Sequence, residues 1–428
     1  MKITVVGTGY VGVVTAAVFA KLGNQVWGLD VDERKISALK LGQIPFFEPG
    51  LAELVKGQLK KGKLKFTTDY SCVVSSEVVF ICVGTPPKKN GDYDLTFIYQ
   101  SAKQVAMRIK KYTLVVIKST VPPTTGKKVE EIIKAETQLP FDVASCPEFL
   151  REGSAVWDSF HPARIVIGTE SKKAKELLAK LHQPIKATRV FCDVVSAQLT
   201  KYAANAFLAT KISFINSIAF LCDKIGADIQ KVSEGLGLDP RIGRSFLQAG
   251  LGYGGSCFPK DTWALISFAK RQNYDFAFLQ QVDQINKSQI DYFVQKVERL
   301  LAGNVRGKTI SILGLSFKPE TDDIREARSL PIIAKLLQKG AKIQVTDPKA
   351  INNAKKVLTK VKFFQSPYEA LKGSEALLLI TDWDHYAKLD FSKIKKLMKR
   401  PIVIDGRNFL PAQKLKKLGF TYEGIGTR

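Results

Sequence analysis

Residues 2–30 read KITVVGTGYVGVVTAAVFAKLGNQVWGLD, and this stretch decides the fold. Lys2 to Val6 is short, apolar and β-branched, which predicts a strand. Tyr10 to Leu22 carries small and apolar residues at helical spacing, and Gln25 to Leu29 is a second strand that ends at Asp30. Between the first strand and the helix stands Gly7-Thr8-Gly9-Tyr10-Val11-Gly12, a G-x-G-x-x-G turn. Alone, that pattern is weak evidence. Between a strand and a helix, with an acid closing the next strand about 20 residues on, it is a dinucleotide fingerprint. Gly7 permits the tight turn, Gly9 lets backbone N–H groups approach a pyrophosphate, and Gly12 allows the helix to pack against the strand.

Asp30 is placed to accept from the adenosine ribose hydroxyls, which selects NAD over NADP, because a 2′-phosphate there would meet a carboxylate. Lys35, near the same edge, reads either as a ribose contact or as a surface lysine. Further strands are expected at Val78 to Val83 and Leu114 to Lys118, each apolar enough to be covered on both faces. Alternating strands and helices imply a doubly wound parallel sheet. Beyond Phe141 come a turn and one more apolar strand, Arg164 to Gly168. Val83-Gly84-Thr85-Pro86-Pro87 and Lys118-Ser119-Thr120-Val121-Pro122-Pro123 follow strand ends, the edge along which parallel sheets bind ligands; separately, each also reads as an ordinary loop.

From about Ala197 to Ala302 apolar residues recur at helical spacing and strand-like runs disappear. Ser196 is the expected N-cap of a long helix through Leu199, Tyr202, Ala206, Leu208, Ile212, Ile215 and Leu221, ending near Gly226 and offering an apolar face for dimer contact. After Gly307 the β/α rhythm restarts: strand Thr309 to Leu313, a helix from Ser329 to Lys339, strand Lys342 to Thr346 closing at Asp347, then strands Ala376 to Thr381 and Ile402 to Ile404. Here the first strand is followed by Gly314-Leu315-Ser316-Phe317-Lys318, without the glycine-rich turn, so this half lacks backbone room for a pyrophosphate. The expected fold class is α/β: two Rossmann-like doubly wound parallel sheets joined by a central helical domain. The expected domains are a cofactor half over 1–195, a helical middle over 196–303 and a substrate half over 304–428.

Composition agrees with that outline. At about 150 residues per domain, 428 residues predict about three domains. With 45% hydrophobic and 25% charged residues, the chain has the makeup of a soluble globular protein, and disorder, collagen and coiled coil are excluded. The first apolar run begins at Ile3, leaving no room for a secretion signal, and no later run reaches about 18 uninterrupted apolar residues, so no membrane span is expected. Cys72, Cys82, Cys146, Cys192, Cys222 and Cys257 include no C-x-x-C pair, which points to reduced thiols in a cytoplasm and to no metal site. His161, His182 and His385 lie far apart, which argues against a histidine-centred mechanism. The formal net charge is +25 and admits a nucleic-acid surface, a membrane patch, or a solvated exterior with a pocket for an anion. The lysine runs sit in separate regions without interleaved aromatics, which favours the last reading and no nucleic acid.

The most informative loop is Gly250-Leu251-Gly252-Tyr253-Gly254-Gly255-Ser256-Cys257-Phe258-Pro259-Lys260-Asp261. Four glycines let backbone wrap a ligand, and a cation near a thiol favours the thiolate. A lone cysteine is more often a small core residue, as Cys82 within Val78 to Val83 is read to be. Lys201 and Asn205 are four apart on the long helix and project from one face, beside small residues. Pro147-Glu148-Phe149-Leu150-Arg151-Glu152-Gly153 supplies two carboxylates after the first sheet, either of which suits acid or base work. On pattern alone, a surface lysine and a solvated turn are equally open.

Taken together, Gly7 to Gly12, Gly84-Thr85-Pro86, Ser119-Thr120-Val121, Pro147 to Gly153, Lys201 with Asn205, Arg241-Ile242-Gly243, Gly254 to Asp261, Phe317-Lys318, Asp322 to Glu326 and Asp405-Gly406-Arg407 resemble the UDP-glucose dehydrogenase family, within the nucleotide-sugar 6-dehydrogenases. The resemblance covers essentially the whole chain. It implies oxidation of a sugar C6 alcohol to a carboxylate with two NAD⁺, the aldehyde stage being held on a cysteine as a thiohemiacetal and then a thioester. By the same resemblance Cys257 is the nucleophile, Lys201 and Asn205 hold the C6 oxygen, Asp261 and Thr120 order a water, and Glu148 acts as acid and base. Lys201, Asp261 and Glu148 are all candidates for the first proton.

The resemblance assigns Gly7, Gly9, Tyr10, Val11, Gly12, Asp30, Lys35, Thr85, Pro86, Thr120, Glu152, Lys260 and Arg325 to the cofactor. It assigns Glu148, Phe149, Leu150, Arg151, Glu152, Lys201, Asn205, Arg241, Phe246, Leu247, Gln248, Ala249, Gly250, Tyr253, Gly254, Cys257, Phe317, Lys318 and Arg407 to a UDP-sugar, Arg241 reaching in from a neighbouring subunit. A homodimer through the long helix, or a higher homo-oligomer, is implied. UDP-glucose is the substrate the cysteine loop fits best, with GDP-mannose and UDP-N-acetylmannosamine as alternatives.

Overall fold

The computed structural model describes residues 1–88 and 91–427. It divides into two compact units, Met1–Ala204 with Trp263–Gln272, and Asn205–Thr262 with Asn273–Arg428.

The first unit is built on eight strands: β1 Lys2–Val6, β2 Gln25–Leu29, β3 Leu64–Thr67, β4 Val78–Ile81, β5 Thr113–Ile117, β6 Phe141–Ser145, β7 Arg164–Gly168 and β8 Thr188–Cys192. Their order is β3-β2-β1-β4-β5-β6-β7-β8. All neighbours are parallel except β6 and β7, which meet antiparallel at Ser145 and Gly168. Chain direction across the sheet reverses between β1 and β4, the switch point at which such sheets bind dinucleotides. Alternate residues of each central strand feed cores on opposite faces: Ile3, Val5 and Phe80 on one side, Val6, Val79 and Ile81 on the other. That two-sided burial is why these strands read as continuous apolar runs.

Strands β3, β6 and β8 escape a reading from hydrophobic runs. Leu64-Lys65-Phe66-Thr67 alternates buried and exposed positions, β6 begins with three half-buried residues, and β8 is an exposed outer strand.

The second unit carries β9 Thr309–Leu313, β10 Lys342–Thr346, β11 Val361–Phe363, β12 Ala376–Leu379, β13 Ile402–Asp405 and β14 Thr421–Glu423, in the order β11-β10-β9-β12-β13-β14 and parallel throughout. The two sheets share a starting logic. Gly7 N–H donates to Leu29 O at 2.7 Å, and Gly314 N–H donates to Thr346 O at 2.9 Å. The turns then part: a helix opens at Tyr10 in the first, whereas no helix begins until Ser329 in the second. Asp347, the counterpart of Asp30, is buried and occupied by the N–H groups of Leu315, Ser316, Lys349 and Ala350 and by the Trp383 indole. A carboxylate so engaged has no capacity left for a ribose.

Four longer helices fill the middle of the chain: Val194–Ile225, Ile229–Leu238, Phe258–Arg271 and Ala277–Leu300. The first begins two residues before the expected cap. Asp193, not Ser196, closes its N-terminus, accepting from Ser196 N–H at 2.7 Å; a carboxylate outcompetes a hydroxyl here because it also meets the helix dipole. It ends before Gly226, whose φ of 82° is the left-handed stop that glycine supplies. This helix is long and apolar enough by composition to cross a membrane, with 44% of its most apolar stretch buried inside the fold. Its buried positions include Lys201, Asn205, Ser213 and Asn216, a polar set engaged with Glu148, Asp261, the Val282 carbonyl and the Gly250 N–H.

Candidate active site

The glycine turn of the first unit has the geometry its sequence predicts. Gly7 has φ 93°, and a Cβ there would lie 2.8 Å from the backbone of Cys82 and Val83; a Cβ on Gly12 would lie 1.8 Å from Gly7 O. Both positions are closed to any side chain. Gly9 is different, because a Cβ there meets nothing within 4 Å. Its glycine is not demanded by the protein's own packing, which fits a position kept bare for a ligand. Gly9 precedes the helix Tyr10–Lys21 without a side-chain cap, so the first-turn N–H groups of Tyr10, Val11 and Gly12 face that open side with the positive end of the helix dipole. A dinucleotide pyrophosphate fits this cradle.

Asp30 closes β2 at the same edge. Its Oδ2 accepts from Thr8 N–H at 2.8 Å, Thr8 Oγ1 at 2.9 Å and Lys35 Nζ at 2.9 Å. Burial opposes its charge, but the Thr8 and Asp32 N–H groups and the Lys35 ammonium outweigh it and hold the carboxyl below its ordinary range. An ionised acceptor therefore stands where ribose hydroxyls are expected. The loops after β4 and β5 are tied together: Thr85 Oγ1 donates to Thr120 O at 3.1 Å, and Ser119 Oγ donates to Val83 O at 2.7 Å.

The segment after β6 is also fixed in this unit. Glu148 is buried; its Oε2 accepts from Leu150 N–H at 2.5 Å, and its Oε1 lies 3.3 Å from Lys201 Nζ. The Phe149 ring has the Arg164 guanidinium 3.6 Å from its centroid and the Lys201 ammonium at 5.4 Å, so its negative face helps seat the lysine. Arg151 is bidentate to Asp158 and its side chain stands largely in solvent.

In the second unit, Asn205 Nδ2 donates to Asp261 Oδ2 at 2.6 Å, and Lys260 Nζ reaches Asp261 Oδ1 at 2.7 Å. Asp261 and Asn205 are both buried. Cys257 is half-buried and forms the N-terminal cap of the helix Phe258–Arg271, its carbonyl accepting from Asp261 N–H at 2.8 Å, with Ser256 Oγ 3.6 Å from its sulfur. A helix N-terminus is a setting that favours an anion. Cys82 is the opposite case, its thiol pushed up to about 12 by burial.

The glycine loop before the cysteine is held from several sides. Asn216 Oδ1 accepts from Gly250 N–H at 2.8 Å, Asn286 pairs with both backbone groups of Tyr253 at 2.8 and 3.1 Å, and Arg328 Nε donates to Leu251 O at 2.9 Å. Gly252, at φ 88°, would place a Cβ 2.2 Å from Asn286 Oδ1. Gly254 lies against Glu326 O and Gly255 against the Phe317 ring, each too close for a Cβ. These glycines are therefore required by the loop's own packing. Burial pushes the Tyr253 phenol above its ordinary value. Gln248 Nε2 donates to Arg407 O at 3.1 Å, and Arg407 Nε donates to Ile380 O at 2.7 Å, placing that cation beside the Phe317 segment, whose carbonyl it also reaches at 3.3 Å. Lys318 Nζ lies 5.7 Å from the Phe317 ring centroid.

The two remaining predicted arginines differ. Arg241 pairs with Asp239 and its side chain is 87% exposed; Arg325 is bidentate to Asp323 through its side chain, while its carbonyl accepts from Gly255 N–H at 3.0 Å in the cysteine loop. Phe246 adopts the left-handed φ of 65°, rare for an aromatic residue. Glu48, Asn216, Asn286 and Arg328 organise the loops but carry no local sequence pattern. The available signal is a polar residue inside an apolar helical run, as Asn216 is between Ile215 and Ile218. No group of His, Cys, Asp and Glu that could hold a metal occurs among the described residues.

Comparison with known proteins matches three family models along the chain: the NAD binding domain of the UDP-glucose/GDP-mannose dehydrogenase family over residues 1–186, its central domain over 195–288 and its UDP binding domain over 311–412. The chain is 46% identical to UDP-glucose 6-dehydrogenase TuaD of Bacillus subtilis, covering 99% of this chain and 93% of the relative. It is 44% identical to the UDP-glucose 6-dehydrogenase of Rhizobium meliloti, covering 100% and 99%. Among solved structures, a UDP-glucose dehydrogenase from Pyrobaculum islandicum superposes with a TM-score of 0.93 at 39% identity, covering 100% of this chain and 98% of that one. A UDP-D-ManNAc dehydrogenase from Pyrococcus horikoshii gives 0.88 at 28% identity, covering 100% and 99%.

Proposed function

The chain belongs to the UDP-glucose/GDP-mannose dehydrogenase family, and on that premise we propose that it oxidises the C6 alcohol of UDP-glucose to the carboxylate of UDP-glucuronate with NAD. One observation carries the reading: a single chain holds both a dinucleotide cradle beside Asp30 and a cysteine, Cys257, at the N-terminus of a helix, followed by the buried Asp261–Asn205 pair.

NAD⁺, when bound, accepts a hydride at each of the two oxidation steps. The N–H groups of Tyr10, Val11 and Gly12 hold its pyrophosphate and Asp30, with Lys35, its ribose. Thr85, Pro86, Thr120, Glu152, Lys260 and Arg325 are assigned to the remaining cofactor contacts. Lys201 and Asn205 hold the C6 oxygen as negative charge grows on it. The Cys257 thiolate adds to the aldehyde carbon, forming a C–S bond, and the former carbonyl oxygen takes a proton. That carbon then gives its hydride to NAD⁺ as the hydroxyl proton returns to the group that supplied it, and a thioester remains. Water ordered by Asp261 and Thr120 attacks it with Glu148 as base, the C–S bond breaks, and the thiolate returns as the carboxylate forms.

Phe246 to Gly250, Tyr253, Gly254, Phe317, Lys318 and Arg407 are assigned to the UDP moiety, a diphosphate dianion suited to lysine and arginine. Glu148 to Glu152 are assigned to the sugar side. The exposure of Arg241 supports its reaching a neighbouring copy. A homodimer is supported by the long helix, on which Phe207, Phe214 and Leu221 recur every seven residues at 66%, 51% and 51% exposure. Six thiols support a cytoplasmic setting. The excess of 25 positive charges is assigned to solvated surface and the anionic substrate, with no nucleic-acid role.

The test is NADH formation from UDP-glucose by purified protein, with two NADH expected per UDP-glucuronate. Cys257→Ser should abolish net formation of UDP-glucuronate, and wild-type turnover in that variant would exclude covalent catalysis by this thiol. Preferential oxidation of GDP-mannose or UDP-N-acetylmannosamine in a substrate panel would replace the sugar while keeping the chemistry.

A further inference from the structure

Glu48 belongs to none of the clusters that bear the chemistry, yet its carboxylate joins two of them. It is 6% exposed. Its Oε2 accepts the Tyr10 hydroxyl and the Gly153 N–H, the latter at 2.6 Å, while Oε1 accepts from Ala155 N–H at 2.7 Å with Val156 N–H at 3.5 Å. Tyr10 is the first residue of the helix over which the dinucleotide is seated, and Gly153 ends the segment that begins with Glu148. All of these contacts lie within the first unit.

The arrangement is built, not incidental. Gly50, at φ 75°, turns the chain into the helix Leu51–Lys60, and Leu51 N–H donates back to Glu48 O at 3.2 Å, fixing the acid at the mouth of that helix. Phe46 packs its ring 5.0 Å from that of Tyr10. Gly153 has φ 81°, a left-handed turn that glycine adopts without strain, and this turn aims its N–H at the Glu48 carboxylate. Burial, with the Glu48 carboxylate beside it, keeps the Tyr10 phenol protonated and donating. A carboxylate that receives three N–H groups and a phenol from distant parts of the chain transmits displacement of any one of them to the others, because losing a buried hydrogen bond costs more than moving its partner.

We propose that Glu48 is a positioning residue that couples the cofactor turn to the Glu148–Gly153 segment, so that dinucleotide at Gly9 and UDP-sugar at that segment strengthen each other's binding; this rests on the reaction assigned above. Coupling of this kind is reciprocal, each ligand changing the other's affinity by the same factor.

Calorimetry with UDP-glucose and NADH, a pair that cannot react, measures that factor directly. In the wild type each ligand should tighten the other within the usual range of coupling, roughly 5- to 150-fold. Tyr10→Phe removes one bond and leaves the backbone bonds of Glu48 in place, so its fold is expected to stand; Glu48→Gln removes an acceptor from Gly153. Both should bring the factor towards one. In turnover by Glu48→Gln the KM for UDP-glucose should rise at saturating NAD⁺ by a larger factor than kcat falls. The double variant should be no worse than Glu48→Gln alone, as expected of residues acting through one bond.

A purely structural acid would instead lower thermal stability and kcat with the coupling factor unchanged, and that result overturns the proposal. So does a wild type in which the ligands bind independently. A wild type that neither binds nor oxidises UDP-glucose overturns the reaction assignment itself, a failure distinct from equal coupling in all variants.

Discussion

Lys201 Nζ lies 3.3 Å from Glu148 Oε1, with only 4% and 9% of the two side chains exposed. Each charge is kept in the interior by the other, so removing one partner should hurt far more than removing both. Lys201→Met is expected to cost about 3–5 kcal/mol of stability. The double variant Lys201→Met with Glu148→Gln should recover much of that loss in chemical denaturation while staying inactive. Neither variant is expected to retain more than about one-hundredth of wild-type kcat, since both lose a group assigned to proton transfer or oxyanion support. Equal instability of the single and double variants would show that the pair is not what the burial protects.

The contrast between Gly9 and Gly12 separates ligand approach from packing. Gly12→Ala drives a Cβ to 1.8 Å from Gly7 O and should destabilise the first unit along with losing NADH binding. Gly9→Ala places its Cβ in open space, so its melting temperature should match the wild type, within the ±0.5 kcal/mol typical of neutral surface changes, roughly. NADH fluorescence titration of that stable variant should nonetheless show affinity reduced on the order of tenfold, about 1.4 kcal/mol. Unchanged affinity would place the pyrophosphate elsewhere.

His182 gives the protein an acid limb. It is buried against Phe19, shares a hydrogen bond of 2.9 Å with Leu178 O, and burial lowers its pKa from 6.5 to about 4. The unfolded chain therefore binds a proton between those values that the folded chain refuses. Stability from this group is present above pH 6.5 and is lost as pH falls towards 4, amounting to about 2 kcal/mol by pH 5. In thermal melts at pH 7.5 and 5.0, wild type should lose about that much more than His182→Gln. Parallel losses in both proteins would assign the limb to other groups.

The exposed seam on the long helix predicts assembly. Phe214 is 51% exposed within the fold, so Phe214→Glu should leave monomer stability unchanged yet separate the copies. Sedimentation should find a dimer for the wild type and a monomer for the variant. If Arg241 serves a neighbouring copy, the monomeric variant should also show a raised KM for UDP-glucose. A variant that remains dimeric would move the interface off this helix.

Local rules made much of this protein legible from its residues alone. The strand-turn-helix start, the acid at Asp30, the spacing of Lys201 and Asn205 and the glycine loop around Cys257 are each contained in a few adjacent residues, where backbone sterics and periodicity act directly. The absence of a glycine-rich turn after Gly314 was readable for the same reason. Strands β3, β6 and β8 were not, because a half-buried or outer strand owes its conformation to a neighbour in the sheet and not to its own apolar run. The N-terminus of the long helix turned on which of two polar side chains three positions apart, Asp193 or Ser196, reached the free N–H groups.

What only the tertiary structure decided are the long-range partnerships. Glu48 meets Gly153 across 105 positions and Asn286 meets Tyr253 across 33, and nothing in either short stretch announces the other. The glycines at 252, 254 and 255 read as room for a ligand, while the fold shows them also pressed against Asn286, Glu326 and Phe317. Sequence determined which residues are candidates for the chemistry, because the functional groups available are those the side chains carry. Folding decided how they are held, because a buried hydrogen bond is made by whichever group the chain brings within reach, however distant in sequence.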